Sequence, residues 1–151
     1  MRYRFLLGLA VCTLCLSTIV ALAVRPEPSK LCDVNFSGGA SLKGVQLAQT
    51  FKQIRRGLAG RDQIHSGMLF VWNEAEQRTF WMRNTPVPLS VGFFDEAGSL
   101  FAIEDMQPNT DTLHHSGAVA KYALELHQGD FQKLQIKIGT RIEGYECSPA
   151  D

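Results

Sequence analysis

Along residues 119–126 apolar and polar side chains alternate. Tyr122, Leu124 and Leu126 fall on one side, and Lys121, Ala123 and Glu125 on the other, the period of two that marks a β-strand. Residues 42–48 carry the same signal, with Val45 and Leu47 on one side and Lys43 off it. Residues 68–72 form an unbroken apolar run, short enough for a buried strand, and 79–82 form a second apolar stretch. Strands are also predicted over 89–94 and 99–106, where Phe101 and Ile103 alternate against Ala102 and Glu104. Between them Asp95-Glu96-Ala97-Gly98 reads as a hairpin turn with glycine last. A final strand is predicted over 137–146. Helical signals are brief: Thr50 is placed to cap a helix that Gly57 stops after Arg56, and 130–134 allow one turn. The segment Asn84-Thr85-Pro86-Val87-Pro88 reads as a turn or edge, because proline cannot donate to a central ladder, and 107–117 as a polar loop. Short strands separated by glycine and proline predict a mostly β fold, a compact antiparallel β-sandwich or barrel with one or two short helices. No predicted helix is long enough to serve as a crossover between parallel strands.

The apolar pattern is different at the N-terminus. Arg2 and Arg4 precede an uncharged run of 19 residues, 5–23, that ends in Ala21-Leu22-Ala23. Small residues at these two positions are what a signal peptidase reads, so 1–23 is predicted to be a cleaved secretory signal. The alternative is an uncleaved membrane anchor, since the run approaches the ~20 residues that span a bilayer. The Arg-Pro-Glu-Pro that follows favours cleavage. Residues 24–41, with two prolines and Ser37-Gly38-Gly39, read as a linker and N-terminal extension holding a short pairing segment near Val34 and Phe36. Residues 42–146 then form one β-rich domain, exported to the periplasm or secreted.

Export changes the reading of the cysteines. Only Cys32 and Cys147 survive cleavage, and in an oxidising compartment an even pair is expected to be a disulfide stapling the first segment of the domain to the last. Charge narrows the partners. Lys plus Arg and Asp plus Glu both number 15, and removing Arg2 and Arg4 leaves 13 basic against 15 acidic residues. That balance gives no basic excess for nucleic acid and no electrostatic attachment to anionic lipid.

Four blocks carry a resemblance: Gly57-Leu58-Ala59-Gly60-Arg61, Gly67-Met68-Leu69-Phe70-Val71-Trp72, Phe80-Trp81-Met82-Arg83-Asn84-Thr85, and Ala123-Leu124-Glu125-Leu126 with Gly129 behind it. In order and spacing they resemble the domain of unknown function 192 family, across about residues 42–144. The resemblance implies a compact β-sandwich or barrel, often behind a signal peptide, and no established activity. Two positions depart from the family's pattern. Ser90 stands where the family usually has aspartate, and Ala59 where it usually has methionine.

The candidate site residues are polar groups set among apolar neighbours, because a buried arginine or carboxylate is costly unless paired or used. Arg61, Asn84 and Glu125 are predicted to converge on one concavity with Trp81 as an apolar wall. Arginine would hold an anion bidentately, asparagine would read hydroxyl or amide groups, and tryptophan would stack a flat face. The alternative is structural: an Arg61–Glu125 ion pair, with Asn84 holding its own turn through an Asx hydrogen bond. On their own Trp81 and Met82 read as core, and Arg55, Arg56 and Arg83 as a solvated face. His114, His115 and His127 lack metal-ligand spacing, so no metal is expected. There is no phosphate loop, dinucleotide fingerprint or Cys-x-x-Cys, so no cofactor is expected. The first reading is a non-enzymatic exported binding module for a small polar or envelope-derived ligand. The second is a small periplasmic hydrolase using Glu125 with Asp105, or with Glu104, as a carboxylate pair. The third is a structural or partner-binding envelope protein.

Overall fold

The computed structural model describes residues 29–150; the predicted signal segment 1–23 and the start of the predicted linker lie outside them. Seven strands form one sheet: β1 (Lys30–Phe36), β2 (Ser41–Ala48), β3 (Met68–Phe80), β4 (Leu89–Phe94), β5 (Leu100–Met106), β6 (His114–His127) and β7 (Ile142–Pro149). Their order across the sheet is β5-β4-β6-β3-β2-β1-β7. Two short helices, α1 (Phe51–Arg56) and α2 (Asp130–Lys133), complete the fold. Mostly β with two short helices is what the sequence predicts. The sheet curls until its edges meet at one end. Ser99 bridges to Arg141, and the Ile142 N–H donates to the Gly98 carbonyl at 2.9 Å.

Several elements differ from expectation. β2 and β3 pair in parallel, Gln46 with Met68 through Ala48 with Phe70, so the sheet is not purely antiparallel. The connection over 49–67 supplies the dozen or more residues that a parallel return needs, although only six of them are helical. The short pairing segment expected near Val34 and Phe36 is a full strand, β1, hydrogen-bonded to both β2 and β7. The apolar stretches at 68–72 and 79–82 are not separate elements. The first and the start of the second belong to β3, whose register against β6 slips between Val71 and Glu76. The last strand begins at Ile142 rather than 137, because a turn closed by Thr140 N–H on the Lys137 carbonyl, with Gly139 at φ 88°, occupies the gap. β6 starts at His114, inside the predicted loop.

The core is in two parts, one on each face of the central strands. Inside the curl, Val34 and Phe36 of β1, Leu47 of β2 and Leu124 of β6 pack with Phe131 of α2. On the outer face, Phe70, Val91, Phe93 and Ala123 are covered by Leu58 and Ile64 of the 57–67 loop and by Met82. β4 is therefore buried along its whole length. Each large apolar side chain fully buried in this way stabilises by roughly 1.5–3 kcal/mol. The Thr50 capping box fixes the start of α1, with Gln53 bonding back to the cap backbone. Cys32 of β1 and Cys147 of β7 face each other in register, Cα–Cα 4.0 Å, and form a disulfide across 115 residues of chain.

Candidate functional site

A cavity of about 190 Å³ opens beneath α1 on the outer face of the sheet. The sequence builds one wall from β3. Phe70 and Trp72, two apart, share a strand face, and the register slip brings Phe80 back beside them. Phe70 and Trp72 stack with centroids 5.9 Å apart, and Phe80 meets Phe70 edge-on at 5.0 Å. The Arg78 guanidinium lies over the Trp72 ring, 4.4 Å from its centroid, and fixes that ring further. The opposite wall is Ile54 of α1 with Gly57, Leu58 and Ala59. Arg55, Arg56 and Arg83 also line the cavity, with Trp81 half exposed beside them. Arg83 is neutralised by Asp111, whose Oδ1 accepts from Nε at 2.8 Å.

Glu125 of β6 lines the same cavity. Its register partners are Met68 and Val91, both buried and apolar, and its side chain is 4% exposed. Oε2 has no hydrogen-bond partner. Burial alone pushes the carboxyl up to about 8, so at neutral pH it is a neutral acid with a proton to donate.

Of the four residues singled out from the sequence, Trp81 and Glu125 meet in this cavity, while Arg61 and Asn84 are not among its lining. Arg61 is partly buried, its Nε enclosed without a partner. Desolvation first, and then the charge of Arg56, hold its guanidinium below the usual arginine range. No Arg61–Glu125 ion pair forms among the described residues. The cause on the Glu125 side is burial without a cation beside it. Asn84 takes a left-handed conformation, φ 55°, which asparagine tolerates. Its backbone carbonyl accepts the Gly60 N–H at 2.7 Å and fastens the 57–61 turn to the turn that follows β3.

The proposed carboxylate pair does not exist. Val91 is opposite both Glu104 and Glu125, whereas Ser90 is opposite Asp105 and Leu126. Successive strand positions point to opposite faces, so Glu125 and Asp105 lie on different sides of the sheet. Asp105 accepts from Ser90 Oγ at 2.6 Å and from Gln128 Nε2 at 2.9 Å, which hold its carboxyl below the usual carboxylate range. Glu104 shares the outer face but is bonded to His114 Nδ1 at 3.0 Å and does not line the cavity. His115 is bonded to Thr79 Oγ1, also at 3.0 Å, and His127 lines a separate cavity. Among the described residues no group of three or more His, Cys, Asp or Glu is arranged to hold a metal ion.

A family model matches residues 34–144, that of domain of unknown function 192, described as "Uncharacterized ACR". The chain belongs to this family. No curated protein matches it. Two solved structures are similar. One, a protein of unknown function from Novosphingobium aromaticivorans DSM 12444, is 28% identical with a TM-score of 0.68, over 76% of this chain and 84% of that one. The other, from Sinorhizobium meliloti 1021 and described as a "putative transcription regulator", is 29% identical with a TM-score of 0.66, over 79% of this chain and 92% of that one. The two departures from the usual pattern of the domain of unknown function 192 now have places. Ser90 lies on the sheet face away from the cavity. Ala59 lines the cavity, and contributes only a methyl group to it.

The aromatic wall and the two exposed arginines of α1 are the parts of the site that sequence reasoning passed over. Phe70 and Trp72 did carry a signal, since two large aromatics two residues apart share one face of a strand. Phe80 carried none, because ten residues of straight strand would set it roughly 33 Å from Phe70, and only the register break after Val71 brings the two rings to 5.0 Å.

Proposed function

We propose that this domain of unknown function 192 protein is a non-enzymatic binding module, acting outside the cytoplasm, that holds a small ligand in the cavity beneath α1. The observation that carries the reading is Glu125, a buried carboxyl with an unpartnered oxygen that lines a cavity walled by aromatic rings. A buried polar atom left unpaired costs about 1–3 kcal/mol, and a ligand that bonds to it recovers that cost. Concave, mostly apolar cavities with a few convergent polar groups are the usual form of small-molecule sites. Export rests on the signal-like leader and the Cys32–Cys147 disulfide, a bond that persists in oxidising compartments. No helix among the described residues is long and apolar enough to cross a membrane. A transcription-regulating role, which the description of the Sinorhizobium protein raises, gains no support from charge: 15 basic and 15 acidic residues leave no excess to neutralise phosphates.

A fragment screen by thermal shift tests the reading, because a ligand specific to the native state raises Tm by mass action. Hits are expected to shift the wild type and to lose that shift in Ala59→Phe, which fills the cavity. Hits that survive Ala59→Phe unchanged would place binding elsewhere.

A further inference from the structure

We infer that the ligand is a small anion built on a flat conjugated ring, its ring against the Phe70–Phe80 wall, its anionic group at Arg55 and Arg56, and a hydrogen-bond acceptor turned toward Glu125. This rests on the binding reading above and names the chemical class the cavity takes.

Size comes first. An enclosed space of about 150 Å³ accommodates benzene, so about 190 Å³ suits one ring with one or two small substituents. Shape and polarity come next. The lining hydroxyls are engaged: Thr79 Oγ1 with His115, and Thr85 Oγ1 with the Arg83 carbonyl. Glu125 is the lining side chain with a buried polar atom that has no partner. A sugar would set hydroxyls against the Phe70 and Phe80 rings, which cannot bond them, whereas a conjugated ring asks only for apolar and aromatic contact there.

Charge decides the rest. Arg83 has Asp111, but Arg55 and Arg56 have no carboxylate partner among the described residues, and both are exposed. Glu125 is the one acidic residue lining the cavity, and its burial keeps it neutral below about pH 8. Arg61 adds a third guanidinium close enough to feel the charge of Arg56. A place at the last turn of α1 suits basic side chains. It gives no reason for a further like charge beside them, which a bound anion would offset. Arginine pairs with carboxylate through planar, bidentate hydrogen bonds.

The test titrates four probes into the protein at pH 6.5 and reads affinity by calorimetry: 4-hydroxybenzoate, 4-hydroxybenzamide, benzoate and glucuronate. The benzoate with its hydroxyl is expected to bind about tenfold or more tightly than its neutral amide. That gap should shrink to about threefold or less in Arg55→Gln/Arg56→Gln, the acid losing more affinity than the amide, with the thermal melt preserved. Benzoate, lacking the acceptor for Glu125, should bind several-fold more weakly than 4-hydroxybenzoate, and glucuronate most weakly of all. Equal affinity for acid and amide would overturn the inference while leaving the binding reading intact, as would glucuronate binding best. Failure of all four probes would overturn the inference. If the fragment screen also gives no hit that Ala59→Phe abolishes, the binding reading falls with it.

Discussion

At the scale of single residues, Glu125 is the group whose chemistry the fold changes most. Its carboxyl titrates near 4.5 in an unstructured chain and about 8 in the folded one. The folded state therefore keeps a proton that the unfolded state releases across that window. Stability attached to this proton is fully present below about pH 4.5 and is lost as pH rises toward 8, by about 1 kcal/mol per pH unit. Thermal melts from pH 5 to 8 are expected to show Tm falling for the wild type and a much flatter profile for Glu125→Gln, which has no proton to lose. A wild-type profile as flat as that of the variant would show that the carboxyl reaches solvent. Glu125 was legible as a candidate because a charged residue sits between two leucines in an alternating strand. That it forms no ion pair with Arg61 was not legible, since no local pattern sets the distance between a turn and a strand 64 positions later.

At the scale of elements, the 57–67 loop is what turns a sheet face into a cavity, and Gly67 lets it sit there. Gly67 has φ +82°, and a Cβ at this position would lie 2.1 Å from the Glu125 carbonyl oxygen. Its own carbonyl accepts the Gln46 N–H at 3.1 Å, beside the start of the parallel β2–β3 pairing. Gly67→Ala combines a disfavoured backbone conformation with a backbone clash, and is expected to cost about 3 kcal/mol or more in denaturant unfolding. Loss of under 1 kcal/mol would mean that the loop can move away from β6. The α1 cap was legible, because Thr50 followed three residues later by Gln53 is a local signature. The parallel pairing was not, because the connection returns through mostly irregular backbone, which carries no periodic signal.

At the scale of the whole molecule, β1 and β7 are joined along seven register pairs and by one disulfide. Both lie on the side of the sheet away from β4 and β5. The bond removes conformational freedom from the unfolded chain. For a loop of about a hundred residues the chain-entropy model gives ~4.7 kcal/mol, against a typical total stability of about 5–15 kcal/mol for a domain. Reduction, or paired Cys32→Ala/Cys147→Ala substitution, is therefore expected to lower Tm by ten degrees or more for a domain of this size. An unchanged melt under reductant would show that the sheet closes without its staple.

The sequence by itself determined the local matters. It set where strands alternate, where Thr50 starts a helix and Gly57 stops it, and which family the chain resembles. Each of these is written in neighbouring residues or in counts. Tertiary structure decided the rest. It put Asp105 and Glu125 on opposite faces, gathered Phe80 with Phe70 and Trp72 through a slipped register, and set the exposed Arg55 and Arg56 at the edge of a cavity. Such relations depend on register between strands distant in the chain, and a shift of one residue there exchanges the two faces of the sheet.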